Sequence, residues 1–256
     1  MANEQWDSYF RQIDGKPASI RVDLGLQEVA PIPENSDLIQ VDLMFLKPRI
    51  DGLSSSEESK MLWDIEDHLV PFVKARWNAV YAGCITTAGR REFYFYAPEA
   101  GALDEIAVKL KEAYPAYFLR VIQRPDPGWI VFREALVPAE REMQTISDRW
   151  VLERLAQNGA DPTRPHVLDH TVWFSTMEQR KSFRSQLPSV YTVDGEDYDF
   201  DREGSPYWIS VTRTQTLEPY GVHQSVLELY DLAKLFDGYY DGWGTVAEPG
   251  NQPGVN

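Results

Sequence analysis

From Ile39 to Phe45 the chain alternates: Ile39, Val41, Leu43 and Phe45 share one face, which predicts a half-buried strand. Beyond Lys47-Pro48 and the polar Ser54-Ser55-Ser56 the period changes. Leu62, Ile65, Leu69 and Phe72 fall at helical spacing from about Glu57, and Pro71 should kink or end that helix because it removes a backbone donor. Residues 80–86 and 92–97 read as strands around a turn at Gly89. Leu103, Ile106, Ala107, Leu110 and Tyr114 mark a second amphipathic helix, and residues 117–122 and 129–132 read as strands separated by Asp126-Pro127-Gly128. The order from 39 to 122 is β-α-β-β-α-β, the split βαβ or ferredoxin-like arrangement. Residues 1–37 precede it as a strand-and-turn segment, with a turn at Asp14-Gly15 and a strand over 18–24.

The order then repeats. Met143, Ile146, Trp150, Val151 and Leu155 predict a helix ending at Asn158-Gly159, a pair suited to the left-handed residue that closes helices. Strands follow over 166–174, 190–193, 207–212 and 239–246. Helices are predicted at 176–187 and from Pro219, with Val222, Val226, Leu229, Ala233 and Phe236 as the last apolar stripe. The expected architecture is α+β: two ferredoxin-like domains in tandem with antiparallel sheets. They cover 1–138 and 139–247, and a Pro/Gly-rich tail at 248–256 is expected to be disordered.

Composition narrows the function classes. The 256 residues are 43% hydrophobic and 25% charged, which predicts a packed core, and the formal charge is −15. Each half is acidic, which argues against direct nucleic-acid binding and against adhesion to anionic membrane, and favours a basic protein segment as partner. Cys84 is the single cysteine, so no intrachain disulfide or thiolate cluster forms. The N-terminal residues lack a basic region followed by an apolar one, and no run approaches the ~20 apolar residues of a membrane span; a cytoplasmic protein is expected.

No nucleophile elbow, Walker A loop or H-E-x-x-H occurs, and no cofactor is expected. His166 and His170 flank Asp169, but in a strand they stand about 13 Å apart, too far to share a metal. His170, on the apolar face, reads as a hydrogen-bonded core histidine. The run 194–203 carries Asp194, Glu196, Asp197, Asp199, Asp201 and Glu203. Position six of a calcium loop begun at Asp197 would be Arg202 where glycine is required, which excludes an EF-hand. The run is a solvated loop between strands or an electrostatic docking loop for a basic partner.

Family resemblance adds what chemistry alone does not. Val167-Leu168-Asp169-His170 with Trp173-Phe174, Trp208-Ile209-Ser210-Val211, and above all Tyr240-Asp241-Gly242-Trp243-Gly244-Thr245 resemble the bacterial regulator of ribonuclease activity B family over about 141–247. The resemblance implies a non-catalytic regulator with a ferredoxin-like fold that binds and inhibits the endonuclease RNase E. Its motif residues here are Asp169, His170, Tyr240, Asp241, Gly242 and Trp243. Trp6-Asp7-Ser8-Tyr9, residues 15–19, Asp51-Gly52-Leu53 and residues 89–96 resemble a bacterial family of unknown function, which implies no activity. A rival reading is an enzyme with a small-molecule site between the halves, using Arg90, Arg91, His170 and Asp241. Trp243 is expected to anchor the closing strand against the last helix if buried, and to be an interface candidate if exposed.

Overall fold

The structure, a computed structural model, describes residues 3–99, 101 and 103–246; the expected tail at 248–256 lies outside them. The chain divides into two compact units, Met1–Ala139 and Glu140–Asn256.

The first unit opens with a hairpin of β1 (Trp6–Ile13) and β2 (Lys16–Asp23), turned at Asp14 and Gly15, both with positive φ. Then come β3 (Asp37–Met44), α1 (Ser56–Trp77), β4 (Val80–Thr87), β5 (Arg90–Ala97), α2 (Asp104–Ala113) and β6 (Phe118–Pro125). The sheet is antiparallel in the order β1-β2-β4-β5-β3-β6. The strand expected over 18–24 is β2, and β1 is the one not expected: the N-terminal segment is a full hairpin joined through β2 to β4, which adds two strands to the four of the β-α-β-β-α-β unit.

Two further expectations are corrected here. Pro71 does not end α1, which runs on to Trp77. Pro71 and Asp67, whose carbonyl loses its donor, are exposed, so water can satisfy that oxygen while Leu62, Ile65, Leu69, Val73 and Trp77 stay buried on the other side. Residues 129–132 are not a strand. Asp126 accepts from the amides of Ile130 and Val131, Trp129 adopts φ 51°, and the chain coils into helical turns through Leu136. That segment covers the sheet face opposite α1 and α2: Trp129 stacks on Tyr96 at 3.9 Å, and Tyr9 Oη donates to the Leu136 carbonyl at 2.8 Å.

The second unit comprises α3 (Glu140–Gln157), β7 (His166–Phe174), α4 (Met177–Gln186), β8 (Thr192–Tyr198), β9 (Tyr207–Gln215), α5 (Pro219–Leu235) and β10 (Tyr239–Gly244). Local chemistry sets the helix ends. Thr176 and Gln179 form a reciprocal capping box on α4, Glu218 caps α5 just before Pro219, and Gly159 follows α3 with φ 82°. The strand expected at 190–193 instead spans Thr192–Tyr198, so half of the acidic run is an edge strand rather than a loop. The antiparallel order is β10-β7-β9-β8. Leu168, Val172, Phe174, Phe183, Ile209, Val211, Val222, Val226 and Leu229 fill the core between one sheet face and the helices. On the other face of β7, Val167 is 56% exposed and Asp169 is exposed.

Candidate functional site

The site follows from the register of β10 on β7. Tyr239 pairs with Trp173 and Tyr240 with Val172; then a bulge at Asp241 shifts the register so that Gly242 pairs with Thr171, Trp243 with His170 and Gly244 with Asp169. Because strand side chains alternate, Tyr239, Gly242 and Gly244 share the open face with Trp173, Thr171 and Asp169, whereas Tyr240 and Trp243 lie on the helix side. Gly242 has φ 134°, a conformation that any L side chain strains, and a Cβ at either glycine would meet no atom within 4 Å. The glycines of the motif thus leave space above the sheet.

That space is a groove of about 710 Å³, lined by Val167, Asp169, Thr171, Asp194, Thr212, Asp241 and residues 242–246. Asp169, Asp194 and Asp241 are exposed, and no cation is among the lining residues. Asp169 accepts from Ser210 Oγ at 2.6 Å, and Asp241 Oδ2 accepts from Trp173 Nε1 at 3.2 Å. At one end, Tyr239, Trp173 and Trp208 form a row across β10, β7 and β9. Three carboxylates beside aromatic faces on an exposed surface attract cationic side chains.

The remaining candidates lie outside the groove. Of the acidic run, only Asp194 lines the groove. Glu196 pairs with Arg184 at 2.7 Å, Asp197 bonds the Tyr198 amide, and Asp199 accepts from the Asp201 amide in the turn to β9. Asp201 and Glu203 are exposed at that turn. His170 is fully buried behind the sheet, where its Nδ1 meets Tyr240 Oη at 2.8 Å; its Nε2 has no hydrogen-bond partner among the described residues. His166 Nε2 bonds the Asp161 carbonyl. Among the described residues no group of three or more His, Cys, Asp or Glu is placed to hold a metal ion.

The residues of the rival enzyme are committed elsewhere. Asp241 and His170 sit on opposite faces of one sheet. Within the first unit, Arg90 pairs with Glu92, and Arg91 pairs with buried Glu66 at 3.1 Å. Burial pushes the Cys84 thiol up to about 11, so it stays protonated and unreactive.

Sequence reasoning missed a latch beneath the motif. Trp243 is only partly buried, and it packs toward α3 as well as against the core. Its Nε1 donates to Asp148 Oδ1 at 2.8 Å, Asp148 Oδ2 lies 3.1 Å from His223 Nδ1, and His223 Nε2 lies 3.0 Å from Thr145 Oγ1. Burial raises the Asp148 pKa despite its bonds to His223 and Trp243. The only sequence-level hint was Asp148 at helical spacing from Val151 and Leu155 on the apolar stripe of a predicted helix.

Burial, then the Arg213 charge, lowers the His170 pKa from 6.5 to about 4. The unfolded chain therefore takes up a proton at His170 that the native chain refuses. Stability from this group is full above pH 6.5 and falls as the pH drops toward 4, by about 2–3 kcal/mol. Urea denaturation across that range should show a flatter acid limb for His170→Phe; equal slopes would mean His170 titrates normally.

The geometry defines an α+β protein with a carboxylate-lined groove on the open sheet face of its second unit. The chain belongs to the family of unknown function DUF695, whose model matches residues 4–137, and residues 145–245 match the model of Regulator of ribonuclease activity B. The C-terminal half is similar to Regulator of ribonuclease activity B of Xenorhabdus nematophila, 28% identical over 118 residues, 45% of this chain and 84% of that protein. It is likewise similar to the Escherichia coli K12 protein of that name, 24% identical over 116 residues, 44% of this chain and 84% of that one. An unknown protein from Galdieria sulphuraria aligns over 82% of this chain and 98% of its own at 9% identity with a TM-score of 0.23, too slight a likeness to carry an argument. No helix among the described residues is long and apolar enough to cross a membrane.

Proposed function

We propose that this protein is a non-catalytic regulator of ribonuclease activity. Its second unit docks a basic segment of RNase E, or of a related RNA-processing endonuclease, and restrains cleavage. The observation that carries this reading is the groove of Asp169, Asp194 and Asp241, which lies within the residues that match the regulator family. In this reading the protein works in the cytoplasm, binds protein rather than RNA, and needs no cofactor. A ferredoxin-like description of the second unit is supported by its strand order, in which β7 lies between β10 and β9 with β8 at the edge. In the first unit β3 to β6 follow the same scheme, with the hairpin appended.

The test is titration of the purified chain against RNase E from the same cell at physiological salt, with RNA cleavage as the second readout. Saturable binding with slower cleavage is expected. The absence of both binding and any change in rate would refute the proposal.

A further inference from the structure

The one basic residue in the acidic run 194–203 is Arg202, and it is folded back onto the open face. Its guanidinium carbon lies 4.0 Å from the Trp173 ring centroid and 5.8 Å from that of Tyr239. The Trp173 indole donates to Asp241 Oδ2, which fixes a flat π-face beside a carboxylate. These are the two elements that recognise a guanidinium: a surface to stack on and an acceptor at its edge. Among the described residues Arg202 has no carboxylate within ion-pair distance, so it holds the aromatic faces without the charge partner. A cation–π contact between half-buried side chains at the surface is weak enough to exchange.

We propose that Trp173, Tyr239 and Asp241 form an arginine-recognition site, and that Arg202 occupies it until an arginine of the partner's basic segment displaces it. The inference rests on the reading of the open face as the docking face and adds two things to it. The partner's contact residue is arginine rather than lysine, because a compact ammonium neither stacks nor forks. The β8–β9 turn acts as a self-competitor that only a segment also engaging Asp169 and Asp194 outbids.

The experiment measures binding of a short labelled arginine-rich peptide and its all-lysine twin to the full chain, comparing wild type with Arg202→Lys and Trp173→Leu. Arg202→Lys keeps the net charge, so simple electrostatics predicts no change, whereas vacating the ring should tighten the arginine peptide about two- to fivefold. The wild type should prefer the arginine peptide, and Trp173→Leu should erase that preference. Equal affinity of wild type for the two peptides, or an unchanged or weakened arginine complex in Arg202→Lys, would overturn the arginine site. If the two peptides bind equally and Asp169→Lys abolishes both, the arginine site is wrong while the docking face survives.

Discussion

Replacing Trp243 with alanine is expected to destabilise the second unit by about 2–4 kcal/mol, even though the indole is only partly buried. A purely apolar account would expect less, since part of the ring already faces water. The larger share comes from Asp148. Asp148 is 3% exposed, and its carboxylate takes one donor from Trp243 and one contact from His223, so losing the indole N–H leaves a buried oxygen without its partner. Trp243→Phe separates the two contributions: most packing is retained, the hydrogen bond is lost, and a cost of about 1–2 kcal/mol is expected. Coupling between Trp243→Phe and Asp148→Ala in a double-mutant cycle should be of the same order, because each removes the same bond. The check is the urea midpoint at constant m; a loss below about 0.5 kcal/mol for the alanine variant would place Trp243 with ordinary surface residues.

The second large effect concerns binding. Reversing two groove charges together, Asp169→Lys with Asp241→Lys, is expected to weaken the ribonuclease complex by about 100-fold or more. Each change removes one attractive pairing and adds a repulsive one, and about 1.4 kcal/mol per site is tenfold. Neutral asparagine at both sites should cost about tenfold, and the wild-type affinity should fall steeply with salt, since the groove is open to screening ions. Both side chains are exposed, so the fold should tolerate the pair with little stability lost beyond the Ser210 bond to Asp169 and the Trp173 bond to Asp241. Wild-type affinity in the reversed variant would exclude this groove as the docking surface.

Much of the second unit could be read in advance, because its signals are local. The alternation from Val167 to Phe174 placed His170 in the core and Asp169 opposite it, and Pro219 and Gly159 marked helix ends through backbone chemistry alone. Signals of longer range were hidden. Trp6–Ile13 mixes Asp7, Ser8, Arg11 and Gln12 among its apolar residues, as the edge of a sheet allows, so its pairing with β2 left little pattern. Charges on Thr192–Tyr198 disguised a second edge strand in the same way. The coil at 130–136 depends on Asp126 and on Tyr96 Oη accepting from the Phe132 amide, partners supplied by other elements. The groove depended on the bulge at Asp241. Without that one-residue shift the glycines of Tyr239–Gly244 have no assigned face, and the stretch reads as a loop or as an ordinary closing strand. The latch joins residues 95 apart in the chain, beyond the reach of any periodicity.

The central claim is that partner binding occurs on the open face of β7 and β10, and amide hydrogen exchange of this chain with and without the ribonuclease tests it most directly. Slowed exchange is expected in Val167–Trp173, in the turn that carries Arg202, and in Tyr239–Thr245, with α3, α5 and the first unit unchanged. Protection confined to the first unit or to α3 and α5, with β7 and β10 exchanging as in the free protein, would contradict it.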